Sequence, residues 1–137
     1  MLEILYGKRG SGKTTKMIDR ANSAVKTCDG DIVFVDDDSR CMLDLSHKIR
    51  YINAGEYSCT TPCLLTGFIC GIMSQNYDIE IIFIDGFPQV VGMDTAANMG
   101  NFVSRVKEIA DNFNIKIILS ISGPENDVPT FMEPYIK

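Results

Sequence analysis

Short apolar runs and amphipathic stretches take turns along the chain as far as residue 122, with no repeat, low-complexity tract or linker between them. Such alternation predicts an α/β domain. Residues 2–6, Leu-Glu-Ile-Leu-Tyr, read as a first strand. A glycine-rich turn follows, then a helix whose apolar positions Met17, Ile18, Ala21 and Val25 share one face, with Lys16, Asp19, Arg20 and Lys26 on the other. After a turn at Cys28, Asp29 and Gly30, the β-branched run Ile32, Val33, Phe34, Val35 has the composition of a strand buried on both faces of a parallel sheet. It ends in Asp36, Asp37 and Asp38.

A second helix is expected over residues 39–49, and a polar loop containing Gly55 over residues 53–61. Pro62 after Thr61 marks a helix start. Residues 62–74 are apolar nearly all round and carry Gly67 and Gly71 four apart, a spacing that also occurs on membrane dimerisation faces. These 13 residues fall short of the ~18 that a span needs, so a buried core helix is predicted. Residues 79–84 form a third strand closing on Asp85 and Gly86. A fourth helix is expected over residues 94–113, with Met99, Phe102, Val103, Val106, Ile109, Ala110 and Phe113 as its apolar stripe, and a last strand over residues 115–121. Pro124, Pro129 and Pro134 then predict an irregular tail, residues 123–137, beyond a single domain of residues 1–122.

A chain of 137 residues, 45% hydrophobic, suits one domain. Its 13 basic and 18 acidic residues leave a net charge of −5, which argues against a surface built to hold nucleic acid or anionic lipid. The positive charge is gathered at the start, where residues 1–26 hold six Lys or Arg against two acids. The first residues run directly into a strand and no apolar stretch is long enough to span, which predicts a cytoplasmic protein without a membrane segment. Five cysteines at irregular spacings, with no CxxC pair, point to neither a disulfide framework nor a zinc ribbon. Cys59, Cys63 and His47 are too scattered to read as a metal site, and His47 is expected on a helix surface.

Residues 7–14, Gly-Lys-Arg-Gly-Ser-Gly-Lys-Thr, match G-x-x-x-x-G-K-[ST] in full. Between a buried strand and a helix, the amides of residues 10–14 converge on one point with the helix dipole behind them, which is what a phosphate group requires. Gly7, Gly10 and Gly12 let the backbone approach phosphate oxygens closely. Lys13 is placed to reach the β and γ phosphates and Thr14 to ligate Mg2+, with Ser11 and Thr15 completing the nucleotide-binding set. The other half of such a site is a carboxylate at the end of a buried strand, and Asp85 meets that description. The cofactors expected are therefore ATP and Mg2+, ATP rather than GTP because the chain has no N-K-x-D guanine signature.

With this loop the chain resembles the P-loop NTPases, and among them the RecA-like group of recombinases, DnaB-type helicases and KaiC-like ATPases. Phe34-Val35-Asp36-Asp37-Asp38 is similar to the group's second strand, which ends in the acid that polarises the attacking water, and Ile84-Asp85-Gly86-Phe87-Pro88-Gln89 is similar to its metal-binding strand and following loop. The resemblance implies a three-layer sandwich in which helices flank a mostly parallel sheet, with strand order 1-4-3-2 for the four strands counted above. It implies a catalytic acid at Asp38, with Asp37 as its rival, acting with Lys13. It also implies that Ser120 or Ser122 lies beside the γ-phosphate as a polar sensor. Position 86, where many ATPases place a catalytic glutamate, is glycine, and the chain lacks the group's extra strands and long DNA-binding loops. Residues 86–93 and 122–130, at those loop positions, hold no Lys or Arg, so tight nucleic-acid binding is not expected.

The function expected is a slow Mg2+-dependent ATPase whose nucleotide state regulates an unidentified protein partner or a homo-oligomer. In an oligomer, Arg40, Arg50 or Arg105 are the candidates to complete a neighbour's site. One alternative is a small nucleoside kinase, because residues 13–20 also look like the opening of thymidine kinase. That family follows its metal aspartate with glutamate and adds a zinc lobe with paired cysteines, and this chain has neither. The other alternative, motivated by Gly86, is a nucleotide-binding switch without useful turnover.

Overall fold

The computed structural model describes residues 1–87 and 99–136. Strands β1 (Leu2–Gly7), β2 (Asp31–Asp36), β3 (Arg50–Asn53), β4 (Ile79–Phe87) and β5 (Lys116–Ser122) form one sheet in the order β1-β5-β4-β2-β3, every neighbouring pair parallel. Side chains alternate faces along each strand, so each face gathers its own core. Phe34, Phe83 and Ile118 pack on one face against Met17 and Ala21 of α1 (Lys13–Thr27). On the other, Val33, Val35, Ile82, Ile84, Ile117 and Leu119 pack under α2 (Pro62–Gln75) and α3 (Gly100–Phe113). This is the expected three-layer α/β sandwich, and each large apolar side chain buried in it contributes about 1.5–3 kcal/mol.

The four strands read from the sequence stand in the expected 1-4-3-2 order, and β3 adds an edge strand beyond them. β3 fills the gap between the expected helix over residues 39–49 and the expected loop over residues 53–61, and overlaps the loop only at Asn53. Residues 39–49 do not form the expected helix: only Met42–Asp44 makes a short 3-10 turn. The cause is competition for the backbone. Asp38 Oδ1 accepts from Arg40 N at 2.9 Å, closing a turn where a helix would begin. Asn22 of α1 then donates to the Asp44 carbonyl at 2.9 Å and accepts from Ser46 N at 2.8 Å. Leu45 and Ile49, four apart as on a helix, still enter the α1-side core, whereas Leu43 is 92% exposed. His47 is exposed in the turn before β3, not on a helix.

Two helices also differ from expectation. α2 starts as read, with Pro62 in its first turn and Thr61 Oγ1 accepting from Leu64 N at 3.2 Å. However, it buries only Leu65, Thr66, Ile69, Ile72 and Met73; Leu64 is 52% exposed, and Gly67 and Gly71 face open space. The described part of α3 begins at Gly100, so residues 94–98 of the expected helix lie outside the described residues. Its stripe is buried from Phe102 to Ala110, and Phe113 emerges. Among the described residues no helix is long and apolar enough to cross a membrane. Beyond β5 the chain stays docked: Met132, in the 3-10 segment Thr130–Tyr135, is fully buried, and Ile136 bridges Ile4 on the outer edge of β1.

One charged group lies beneath α1. Glu3 is buried on β1, with Arg20 Nη2 at 2.5 Å and Lys116 Nζ at 2.9 Å. Burial alone would raise its pKa, but hydrogen bonds and charge from the two cations outweigh it and hold the carboxyl below 4.5. The stability this supplies is present above the ordinary carboxylate pKa and is lost as pH falls through the lowered one. Arg20→Met should cost roughly 1–3 kcal/mol at neutral pH in chemical denaturation. The gap from wild type should close below pH 4.5, as Glu3 protonates. A gap independent of pH would show that Arg20 acts through packing alone.

Candidate functional site

β1 ends at Gly7, and the chain turns through Ser11 N donating to the Lys8 carbonyl at 3.2 Å before α1 begins. Gly10 (φ 81°) and Gly12 (φ 89°) take left-handed backbone angles that side-chain-bearing residues rarely adopt. Gly12 caps α1 with no side-chain hydrogen bond, so the first amides of the helix keep their donors for a ligand. Lys13 Nζ donates to the carbonyls of Gly7 at 3.1 Å and Lys8 at 2.9 Å, and to Ser11 Oγ at 3.5 Å. Burial lowers its pKa, and the charge of Asp85 works the other way. Thr14 Oγ1 donates to Asp85 Oδ2 at 2.9 Å, across 71 residues of sequence.

These groups open on a cavity of about 510 Å³ at the carboxyl ends of the strands. Gly10, Gly12, Lys13, Thr14 and Thr15 line it from the β1 side, Asp85 and Gly86 from β4, and Ser120 and Ser122 from β5. Gly7 and Ser11 stand behind this wall as acceptors for Lys13. A Cβ added at Gly10 or Gly12 would meet nothing within 4 Å, so it is the left-handed backbone angle, not crowding, that calls for glycine there.

The three aspartates after β2 take different roles. Asp36 is buried and accepts from Asp37 N at 2.8 Å and from Tyr51 Oη at 3.4 Å. Burial first, and the Asp37 side chain second, push its carboxyl up to about 7. Cys41 lies against it, its thiol pushed up to about 12 by burial and by Asp36. Asp37 lines the cavity, and its Oδ1 is buried without a hydrogen-bond donor. Asp38 stands outside the lining: its carboxylate pairs with Arg40 Nε and its carbonyl accepts from Tyr51 Oη.

Sequence reading did not single out Asp36, Cys41 or Tyr51, or place Arg40 in its own chain's cavity. The signal for Asp36 was the strand's alternation, which turns Asp36 inward beside β4, whereas Tyr51 depended on β3. Arg50 and Arg105 are exposed and do not line this cavity. Cys59, Cys63 and His47 do not come together among the described residues. Of the loop after β4, residues 88–93 lie outside the described residues.

Gly86 explains the glycine at the usual glutamate position. Its φ is 80°, and an added Cβ would lie 3.0 Å from the Asp37 carboxyl and 3.2 Å from Asp36 Oδ1. A glutamate here would carry both backbone strain and a clash with the acids of β2.

No protein-family pattern and no curated protein matches the sequence. Among solved structures, the chain is similar to the flagellar accessory protein FlaH from Methanocaldococcus jannaschii, with a TM-score of 0.60 and 14% identity, over 97% of this chain and 65% of that one. The chain thus spans about two thirds of FlaH. The likeness is one of fold. Gly86→Ala should lower stability by about 1–2 kcal/mol, the usual penalty of a left-handed angle. An unchanged denaturation midpoint would mean that the turn relaxes freely.

Proposed function

We propose that the chain binds Mg·ATP and hydrolyses it slowly, its nucleotide state serving a protein partner or assembly. The observation that carries this reading is the Thr14 to Asp85 hydrogen bond, which joins the hydroxyl ending the phosphate loop to the carboxylate ending β4. Those two groups would hold Mg2+, and the cavity beside them, lined by Asp37 whose buried Oδ1 lacks a hydrogen bond, fits a triphosphate and a water. An ion held by Thr14 and Asp85 would supply positive charge to offset that developing on the phosphates.

The chain's own residues supply positioning and charge. The amides at the start of α1 and the Lys13 ammonium bind the β and γ phosphates. Asp37 orients the attacking water and accepts its proton, while Ser120, buried in β5 and lining the cavity, hydrogen-bonds the γ-phosphate. Asp37 rather than Asp38 receives the acid's role here because it lines the cavity. The nucleoside kinase reading gains no observation. A switch without turnover keeps one, the glycine at position 86.

Mg·ATP at 100 times its dissociation constant should stabilise the protein by about 2.7 kcal/mol in a thermal melt, and Lys13→Ala should remove most of this. A melt that Mg·ATP leaves unmoved sinks the reading. Phosphate release should run well below the ~10 s⁻¹ median of enzymes. Asp37→Asn should lower it about 100-fold with ATP affinity nearly intact, while Asp38→Asn should do much less. The reverse order would give the role to Asp38, and binding with no release in wild type would favour the switch.

A further inference from the structure

Arg40 stands in the turn after β2 and lines the same cavity as Lys13, so the phosphate site has cations on two sides: Lys13 from the β1 end of the sheet and Arg40 from the β2 end. Its guanidinium pairs with Asp38 through Nε, and its Nη2 lies 3.7 Å from Asp37 Oδ1. The second distance is ionic contact, and it leaves Asp37 Oδ1 without a hydrogen bond.

The backbone of this turn is fixed while the side chain is not. Arg40 N donates to Asp38 Oδ1, Tyr51 Oη donates to the Asp38 carbonyl, and the Arg40 side chain is 77% exposed. Exposed ion pairs of this kind are weakly held. A phosphate carries more negative charge than a carboxylate and accepts two parallel hydrogen bonds from a guanidinium, so a phosphate entering the cavity competes well for Arg40.

We propose that Arg40 is the catalytic arginine of this chain's own site: it binds γ-phosphate oxygens in exchange for Asp37 and Asp38, and so releases Asp37 to take the water. The proposal rests on the ATPase reading above. In that reaction, water oxygen bonds to the γ-phosphorus as the bond to the β,γ-bridging oxygen breaks. The electron pair leaves on ADP, and the water's proton passes to the Asp37 carboxylate and then to solvent. Arg40 stabilises the charge on the transferred phosphoryl group throughout, from within the subunit.

The test titrates wild type, Arg40→Ala, Arg40→Lys and Lys13→Ala with Mg·ATP and Mg·ADP, and follows single-turnover phosphate release. Because the side chain is exposed, the Arg40 variants should melt with wild type. Arg40→Ala should weaken ATP binding about 10-fold with ADP binding within about twofold, and slow phosphate release by about 10³-fold. Arg40→Lys should recover part of the affinity and little of the rate. An unchanged ratio of ATP to ADP affinity in Arg40→Ala overturns the proposal, even if wild type binds ATP without turning it over. Recovery of turnover on mixing Arg40→Ala with Lys13→Ala also overturns it, by placing the arginine in a neighbouring subunit. If wild type binds no Mg·ATP, the ATPase reading fails and this proposal with it, whereas loss of binding in Lys13→Ala alone leaves that reading standing and isolates Arg40.

Discussion

Parallel pairing brings the carboxyl ends of β1, β5, β4 and β2 to one side of the molecule, and the register between them decides which side chains meet there. Val35 pairs with Ile84 and Ile84 with Leu119, so Asp36, Asp85 and Ser120 come next on three adjacent strands; Gly7 pairs with Ser122 at the same end. A slip of one residue would turn every one of these polar groups to the opposite face and drive apolar ones out of the cores. The two cores therefore hold the site in place. Burial, more than any neighbouring charge, sets the state of Asp36. Asp85 receives the Thr14 hydroxyl, while Asp36 keeps its proton up to about pH 7.

This arrangement limits what position 86 can hold. The β4–β5 ladder becomes irregular between Ile84 and Phe87, and Gly86 supplies the left-handed angle there. The space in front of Gly86 is filled by the Asp37 carboxyl. An acid reaching the cavity from β2 needs a residue without a side chain opposite, and a glutamate at 86 would need β2 to end in something smaller. The aspartate is one methylene shorter than glutamate, so its reach depends on the close approach that Gly86 permits.

That residues 7–14 and Asp85 belong to one cavity was legible because the loop is a motif of eight consecutive residues and Asp85 ends an uninterrupted apolar run. The helices and four strands followed from periodicity, and the resemblance supplied their order. What failed lay between residues 39 and 53. Leu45 and Ile49 have helical spacing, yet Asn22, far away in sequence, captures the backbone at Asp44 and Ser46. β3 is four residues long, too short for alternation to announce it. The choice between Asp37 and Asp38 was equally hidden. Past the end of a strand the two-residue period no longer applies, and the turn closed by Asp38 sets both directions.

α1 connects these parts. Its first turn carries Lys13 and Thr14, its middle anchors Arg20 on Glu3, which Lys116 also pairs, and its Asn22 holds the segment that follows Arg40. A displacement of the phosphate loop along this helix axis would strain the Glu3 cluster and the 41–49 turn together, because both are tied to the same rigid rod. The net charge of −5 fits the same plan. Cations are concentrated where phosphate would sit and acids where metal and water would sit, so the excess of acid does not oppose binding an anion. The field that matters is the local one inside a cavity of about 510 Å³, where Lys13 and Arg40 share the lining with Asp37 and Asp85.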